Sequence, residues 1–157
     1  MSASVTLWLE ISHHAAFRIG GWAFVRRADG ELGGYAGGGR RIDAERAALA
    51  GLVAALGREP AGPAPVRVFT TSRLVAAIPG RICAAEAGEG APEANLDLWA
   101  QAMRALAARP VEIKLGSASE RPTGFAAAWA ELGRDRAKDQ GDFTAAIPKP
   151  NLAKSGA

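Results

Sequence analysis

The sequence predicts an α/β domain: a mixed five-stranded sheet, its first three strands antiparallel, with helices packed against it. Three observations carry this. Val5 to Ser12 alternates, with Val5, Leu7, Leu9 and Ile11 on one face and Thr6, Trp8, Glu10 and Ser12 on the other. Asp29-Gly30 then supplies a hairpin signal. Finally, Val66, Val68 and Thr70 alternate with Arg67, Phe69 and Thr71, and the chain runs directly into Ser72, a helix N-cap followed by Leu74, Val75, Ala76, Ala77 and Ile78.

The elements follow in order. After the first strand, Gly20 to Arg27 is a second, and the Asp29-Gly30 turn leads into a third that contains Gly-Gly-Tyr-Ala-Gly-Gly-Gly. Those glycines weaken the strand and predict a bulge or an exposed edge. A helix runs from Asp43, its N-cap, to about Leu56, with Leu49, Leu52, Val53 and Leu56 as an apolar stripe. The segment 58–65 is a loop before the Val66 strand, and 79–94, rich in Gly, Ala, Glu and Pro, reads as a mobile connection. Asn95 caps a helix with Trp99, Met103 and Leu106 on one side, and Val111 to Leu115 is a short strand. Thr123 to about Lys138 is the last helix, with Phe125, Ala128, Trp129 and Leu132 as its stripe. The order is β-β-β-α-β-α-α-β-α. Residues 1–141 form the domain, and 142–157 are expected to be a flexible tail.

At 157 residues, 48% hydrophobic and 22% charged, the composition is that of one globular domain. Nineteen Lys and Arg against sixteen Asp and Glu leave a mildly basic chain, compatible with a polyanionic partner but not demanding one. The single Cys83 excludes an intramolecular disulfide and a cysteine zinc cluster, and a reducing cytoplasm is the expected compartment. The opening residues lack the basic and apolar regions of a signal peptide. The apolar run Ala47 to Gly57 is too short to span a bilayer, so no membrane partner is expected.

Three carboxylates hold unusual positions. Glu10 shares a strand face with Trp8, Glu45 lies four residues before Leu49 on a core-facing stripe, and Asp135 follows Leu132 by three. Such placement suits a ligand for a metal or a cationic partner. The alternatives are a first-turn acid favouring the helix dipole, for Glu45, and a surface ion pair with neighbouring basic residues, for Asp135. His13 and His14 read as loop residues beyond the first strand.

From about Val5 to Lys138 the chain resembles the type 1 ribonuclease H family. Glu10-Ile11-Ser12 followed by Gly20-Gly21-Trp22 is similar to that family's Asp-Gly-Ser and Gly-Gly-aromatic motif. Ala44-Glu45-Arg46-Ala47-Ala48 resembles its Met-Glu-Leu-x-Ala, and Thr70-Thr71-Ser72-Arg73-Leu74-Val75 its Thr-Asp-Ser-x-x-Val. Asn95-Leu96-Asp97-Leu98-Trp99 matches its Asn-x-Asp-Leu-Trp letter for letter, and Ala130-Glu131-Leu132-Gly133 resembles Asp-Glu-Leu-Ala. The resemblance implies a ribonuclease H-like fold. It also implies a site built from one carboxylate on each of the first strand, first helix, fourth strand end and last helix, which in the family hold two Mg²⁺ ions that cut the RNA strand of a hybrid.

The departures fall on that chemistry. The carboxylates would be Glu10, one methylene too long, and Glu45; Thr71 and Ala130 stand at the other two positions. The loop before the last helix, 116–124, lacks the family's His. Mg²⁺ tolerates displaced oxygen ligands poorly, and misplacing a carboxylate by about an ångström can cost about 10²-fold in rate. The resemblance therefore implies a member with a degenerate site, lost or strongly impaired hydrolysis, and at most one Mg²⁺ held weakly by Glu10 and Glu45.

Three functions compete. The first is binding of nucleic acid, an RNA/DNA hybrid, without efficient cleavage, using Ser12 and the arginine pairs Arg26-Arg27 and Arg40-Arg41 toward phosphates. The same pairs could instead shield edge strands. The second is a divergent active nuclease recruiting Glu120, Glu131 or Asp135. The third is a protein-interaction module pairing through the Gly-rich strand.

Overall fold

A computed structural model describes residues 4–157. The meander β1 (Val5–His14), β2 (Ile19–Ala28) and β3 (Glu31–Arg40) is antiparallel throughout. Asp29 and Gly30 both take positive φ, 53° and 75°, as a two-residue turn matched to the strand twist requires. α1 (Ala44–Leu56) leads to β4 (Val66–Thr70), which pairs parallel with β1. α2 (Arg73–Glu86) and α3 (Leu96–Ala107) precede β5 (Val111–Leu115), parallel to β4, and α4 (Arg121–Gln140) follows. The sheet has six strands rather than five, in the order β5-β4-β1-β2-β3-β6.

The sixth strand corrects the reading of residues 142–157 as a tail outside the domain. β6 (Phe143–Ala146) pairs antiparallel with β3, and α5 (Lys149–Leu152) follows it. Ile147 and Leu152 are buried in the cluster formed by Trp8, Ala23, Val25, Ala36 and Ala130. Four residues of Phe-Thr-Ala-Ala carry little strand signal alone; the open backbone of β3 supplies their partners. β3 is consequently not a sheet edge.

The alternation of β1 divides the core. Leu7 and Leu9 face α1, α2 and α3 together with Phe24, Val68, Leu49 and Leu52, whereas Trp8 and Val25 face α4. Two of the three expected N-caps form: Asp43 accepts from the Arg46 amide at 2.7 Å, and Ser72 from the Val75 amide at 3.2 Å. α2 continues through Pro79, shortening the expected mobile connection, because Ile78 is buried and Ile82 packs against the same cluster beyond the lost backbone bond. In α3 the buried side is Leu98, Trp99 and Ala102, and Met103 is exposed.

The stripe expected for α4 holds only in part: Phe125 and Trp129 pack, partly buried, against the Trp8 cluster, but Ala128 and Leu132 do not. Leu132 is 57% exposed, and the face against the sheet is Ala126, Ala130, Gly133 and Ala137. The glycines of β2 and β3 set this choice by admitting the helix backbone almost to contact. A Cβ on Gly38 would lie 2.6 Å from the Gly133 carbonyl oxygen, and one on Gly21 would overlap the Ala130 carbonyl and the Arg134 amide. We expect Gly21→Ala to destabilise the protein by about 3 kcal/mol, the upper end of overpacking, because its contacts are backbone atoms that cannot turn aside. A urea midpoint unchanged from wild type would refute this packing account.

Among the described residues, no helix is long and apolar enough to cross a membrane.

Candidate functional site

Parallel β1, β4 and β5 all finish at one end of the sheet, where β3 also ends and α1, α2 and α4 begin. The carboxyl ends of parallel strands are the usual place for ligands on such sheets. Three residues singled out in the sequence, Glu10, Thr71 and Glu45, lie at this end.

Glu10 is 5% exposed. Its carboxylate accepts from the Thr71 amide at 2.7 Å and from the Thr71 hydroxyl. One residue past β4, Thr71 therefore satisfies the acid of β1 with two donors. Glu45, in the first turn of α1, is bound from two other helices: it pairs with the Arg81 guanidinium of α2 and accepts from Asn95 Nδ2 at 3.0 Å. Asn95 does not cap α3 with its side chain as expected. It is left-handed, with φ 58° and ψ 33°, and its amide reaches back to Asp43 and Glu45. Arg46 spans to Asp97 with two bonds of 2.9 and 3.0 Å.

Burial acts to raise the Glu45 carboxyl, but the Arg81 and Asn95 donors and the Arg81 charge outweigh it, so it sits below its ordinary 4.5. The Arg46 bonds hold exposed Asp97 down at about 2. Both are acids depressed in the folded state, so their stabilisation is fully present above the ordinary carboxylate values and is lost as pH falls through the folded ones. The melting temperature should decline as pH drops from about 5 toward 2, and Glu45→Gln should flatten part of that decline. Superimposable wild-type and variant profiles would rule out the Glu45 contribution.

On the α4 side, Ala130 is fully buried among apolar residues and offers no ligand. The polar group that α4 does bring to β1 is a cation: Arg134 donates to Ser12 Oγ at 2.9 Å and pairs with exposed Asp135 at 3.0 Å. Glu120 and Glu131 are exposed. Among the described residues, no group of three or more His, Cys, Asp or Glu side chains is placed to hold a metal ion.

The two arginine pairs are not brought together. Arg40 and Arg41 are exposed beside α1, whereas Arg26 lies seven residues along β2 from Ile19, the register partner of Arg40, roughly 23 Å away. Arg26 is tied to Glu59 and Arg27 lies over the Trp8 ring at 5.1 Å. Neither histidine is a loop residue: both end β1, with His13 bonded to the Ile42 carbonyl at 2.9 Å and His14 stacked on Phe17. Arg81, Asn95 and Arg134 carry no local signal for these roles, because each acts across the tertiary structure.

No protein-family model and no curated protein matches the sequence. Solved structures do. LC9-RNase H1, described as a type 1 RNase H with the type 2 active-site motif, shares 16% identity over 99% of this chain and 86% of its own, with a TM-score of 0.67. RNase H1 of the archaeon Halobacterium salinarum shares 19% over 85% and 99%, with a TM-score of 0.60. The fold is ribonuclease H-like. The foamy virus protease-reverse transcriptase, solved with an RNA/DNA hybrid, also matches, with 13% identity over 85% of this chain and 20% of its own and a TM-score of 0.61.

Two divalent ions do not fit the residues that this ribonuclease H-like fold presents. Glu10 already accepts two hydrogen bonds and Glu45 holds a guanidinium and an amide; Thr71 is a neutral donor and Ala130 has no polar side-chain atom. Mg²⁺ requires oxygen ligands free to complete a near-octahedral shell.

Proposed function

We propose that this protein is a nucleic-acid-binding member of the ribonuclease H-like fold, directed to RNA/DNA hybrids, with lost or strongly impaired metal-dependent hydrolysis. The observation that carries the reading is the pair of Glu10 and Thr71: where the family's pattern has a carboxylate stands a neutral threonine whose amide and hydroxyl both donate to Glu10. Two-metal hydrolysis needs paired cations to activate water and stabilise the leaving oxygen, and a threonine brings no charge to hold them.

Binding is supported by exposed Arg18, Arg40 and Arg41 at the same end of the sheet, and by the basic balance of the chain. These side chains suit phosphates, which position a duplex without reading its sequence. Arg26, paired with Glu59, and exposed Arg27, over the Trp8 ring, lie at the other end of β2, and Ser12 contributes through Arg134.

The test has two arms. Incubation of a hybrid with Mg²⁺ or Mn²⁺ should leave its RNA strand intact; cleavage that vanishes in Glu45→Gln would overturn the loss of hydrolysis. A salt titration of hybrid binding should give affinity falling steeply with ionic strength, and Arg40→Ala/Arg41→Ala should reduce the logarithmic slope by about 2. Absence of binding at low salt would overturn the nucleic-acid reading and favour a protein partner.

A further inference from the structure

We infer that Arg81 is the resident cation of this site, occupying on Glu45 the electrostatic role of a metal ion and thereby excluding one. The inference rests on the reading of Glu45 as the remnant of a metal-binding position, and deepens it by naming what replaced the metal.

Arg81 is held from two sides. Its guanidinium pairs with Glu45 and lies over the indole of buried Trp99, with Cζ 4.5 Å from the ring centroid. A planar cation stacked on an aromatic face and paired with a carboxylate is well suited to this niche, whereas a strongly hydrated divalent ion gains nothing from the ring. Asn95 closes the other side. Its Nδ2 is 3.0 Å from Glu45 and 3.3 Å from Asp43, so one amide lies between two carboxylates. The left-handed backbone of Asn95 is a conformation non-glycine residues seldom adopt, and the side-chain bonds hold it there. Thus α1, α2 and α3 are joined at Glu45 by donors alone. Without the guanidinium, Glu45 and Asp43 would be two acids within reach of one amide, with no arginine on Glu45.

Mn²⁺ uptake by the full-length protein tests this, read by loss of the free-ion signal in electron paramagnetic resonance and by thermal unfolding. Wild type and Arg81→Lys, which keeps the charge, should take up no Mn²⁺ and show no shift. Arg81→Gln should gain Mn²⁺ uptake and a Tm rise of about 3 °C or more at saturating ion, both abolished in Arg81→Gln/Glu45→Gln. Uptake by wild type that disappears in Glu45→Gln would overturn the inference, as would an Arg81→Gln protein that folds and binds no more Mn²⁺ than wild type. If Arg81→Gln does not fold, Arg81→Lys decides: a lysine protein that takes up Mn²⁺ overturns the inference and one that excludes it sustains it. Hybrid affinity measured in parallel separates the readings. Its absence overturns nucleic-acid binding alone, and Mn²⁺ uptake by wild type overturns the resident-cation inference alone.

Discussion

Glu59→Ala is expected to destabilise the protein by about 3–5 kcal/mol, a large share of the roughly 5–15 kcal/mol that holds a domain of this kind together. The Glu59 side chain is 1% exposed, in the loop after α1, and lies between two arginines: Arg26 of β2 and Arg109 just before β5. Arg109 is 4% exposed along its side chain and also donates to the carbonyls of Pro60, at 2.9 Å, and Ala64, at 2.9 and 2.6 Å. Removing the carboxylate leaves a guanidinium desolvated beside carbonyl dipoles, without its countercharge. Arg109→Ala should cost more than Arg26→Ala, because Arg26 is 31% exposed and water can take over part of its solvation. Urea unfolding gives all three values. A Glu59→Ala cost below about 1 kcal/mol would mean that the triad behaves as a surface pair.

Truncation after Gly141 should be at least as severe. It removes β6 and α5, and with them buried Ile147 and Leu152, worth about 3–6 kcal/mol of apolar burial together. It also strips the outer backbone partners from β3, among them the bond from the Ile147 amide to the Gly34 carbonyl at 3.0 Å. The uncovered edge is glycine-rich and offers open backbone groups, which invites edge-to-edge association. The shortened protein should therefore melt well below the full chain and associate at concentrations where the full chain does not. Leu152→Ala isolates the packing part, with an expected loss of about 2–5 kcal/mol. A truncated protein as stable as the full chain would show that 142–157 add nothing to the domain.

Much of the fold was legible because it is local. Alternation in Val5–Ser12 sorted residues between two faces, and both clusters use that sorting. Asp43 and Ser72 cap their helices as read, since a cap depends on the residue and the amides two or three places on. α4 failed where locality ends. Its sequence contains two stripes, one of Phe125, Trp129 and Leu132 and one of Ala126, Ala130, Gly133 and Ala137. Periodicity favours the larger side chains, but Gly21 and Gly38 draw the smaller ones onto the sheet, leaving Phe125 and Trp129 partly buried at its margin and Leu132 in solvent. The same packing explains Gly38 of β3, which holds α4 close rather than marking an exposed edge.

The candidate site divides along the same line. The amino-acid sequence alone determined the order of the first nine elements, the caps Asp43 and Ser72, and the fact that Thr71 and Ala130 carry no carboxylate. Residue identity settles these, because no folding can add an acid to a threonine. Only the tertiary structure decided how the remaining acids are satisfied. Thr71 turns both its donors on Glu10, Arg81 comes from another helix to Glu45, and Arg134 reaches Ser12 across more than a hundred residues of chain. A buried or half-buried carboxylate must be paired with whatever donors packing brings near, and packing is set by the whole sheet and its glycines rather than by the residues on either side.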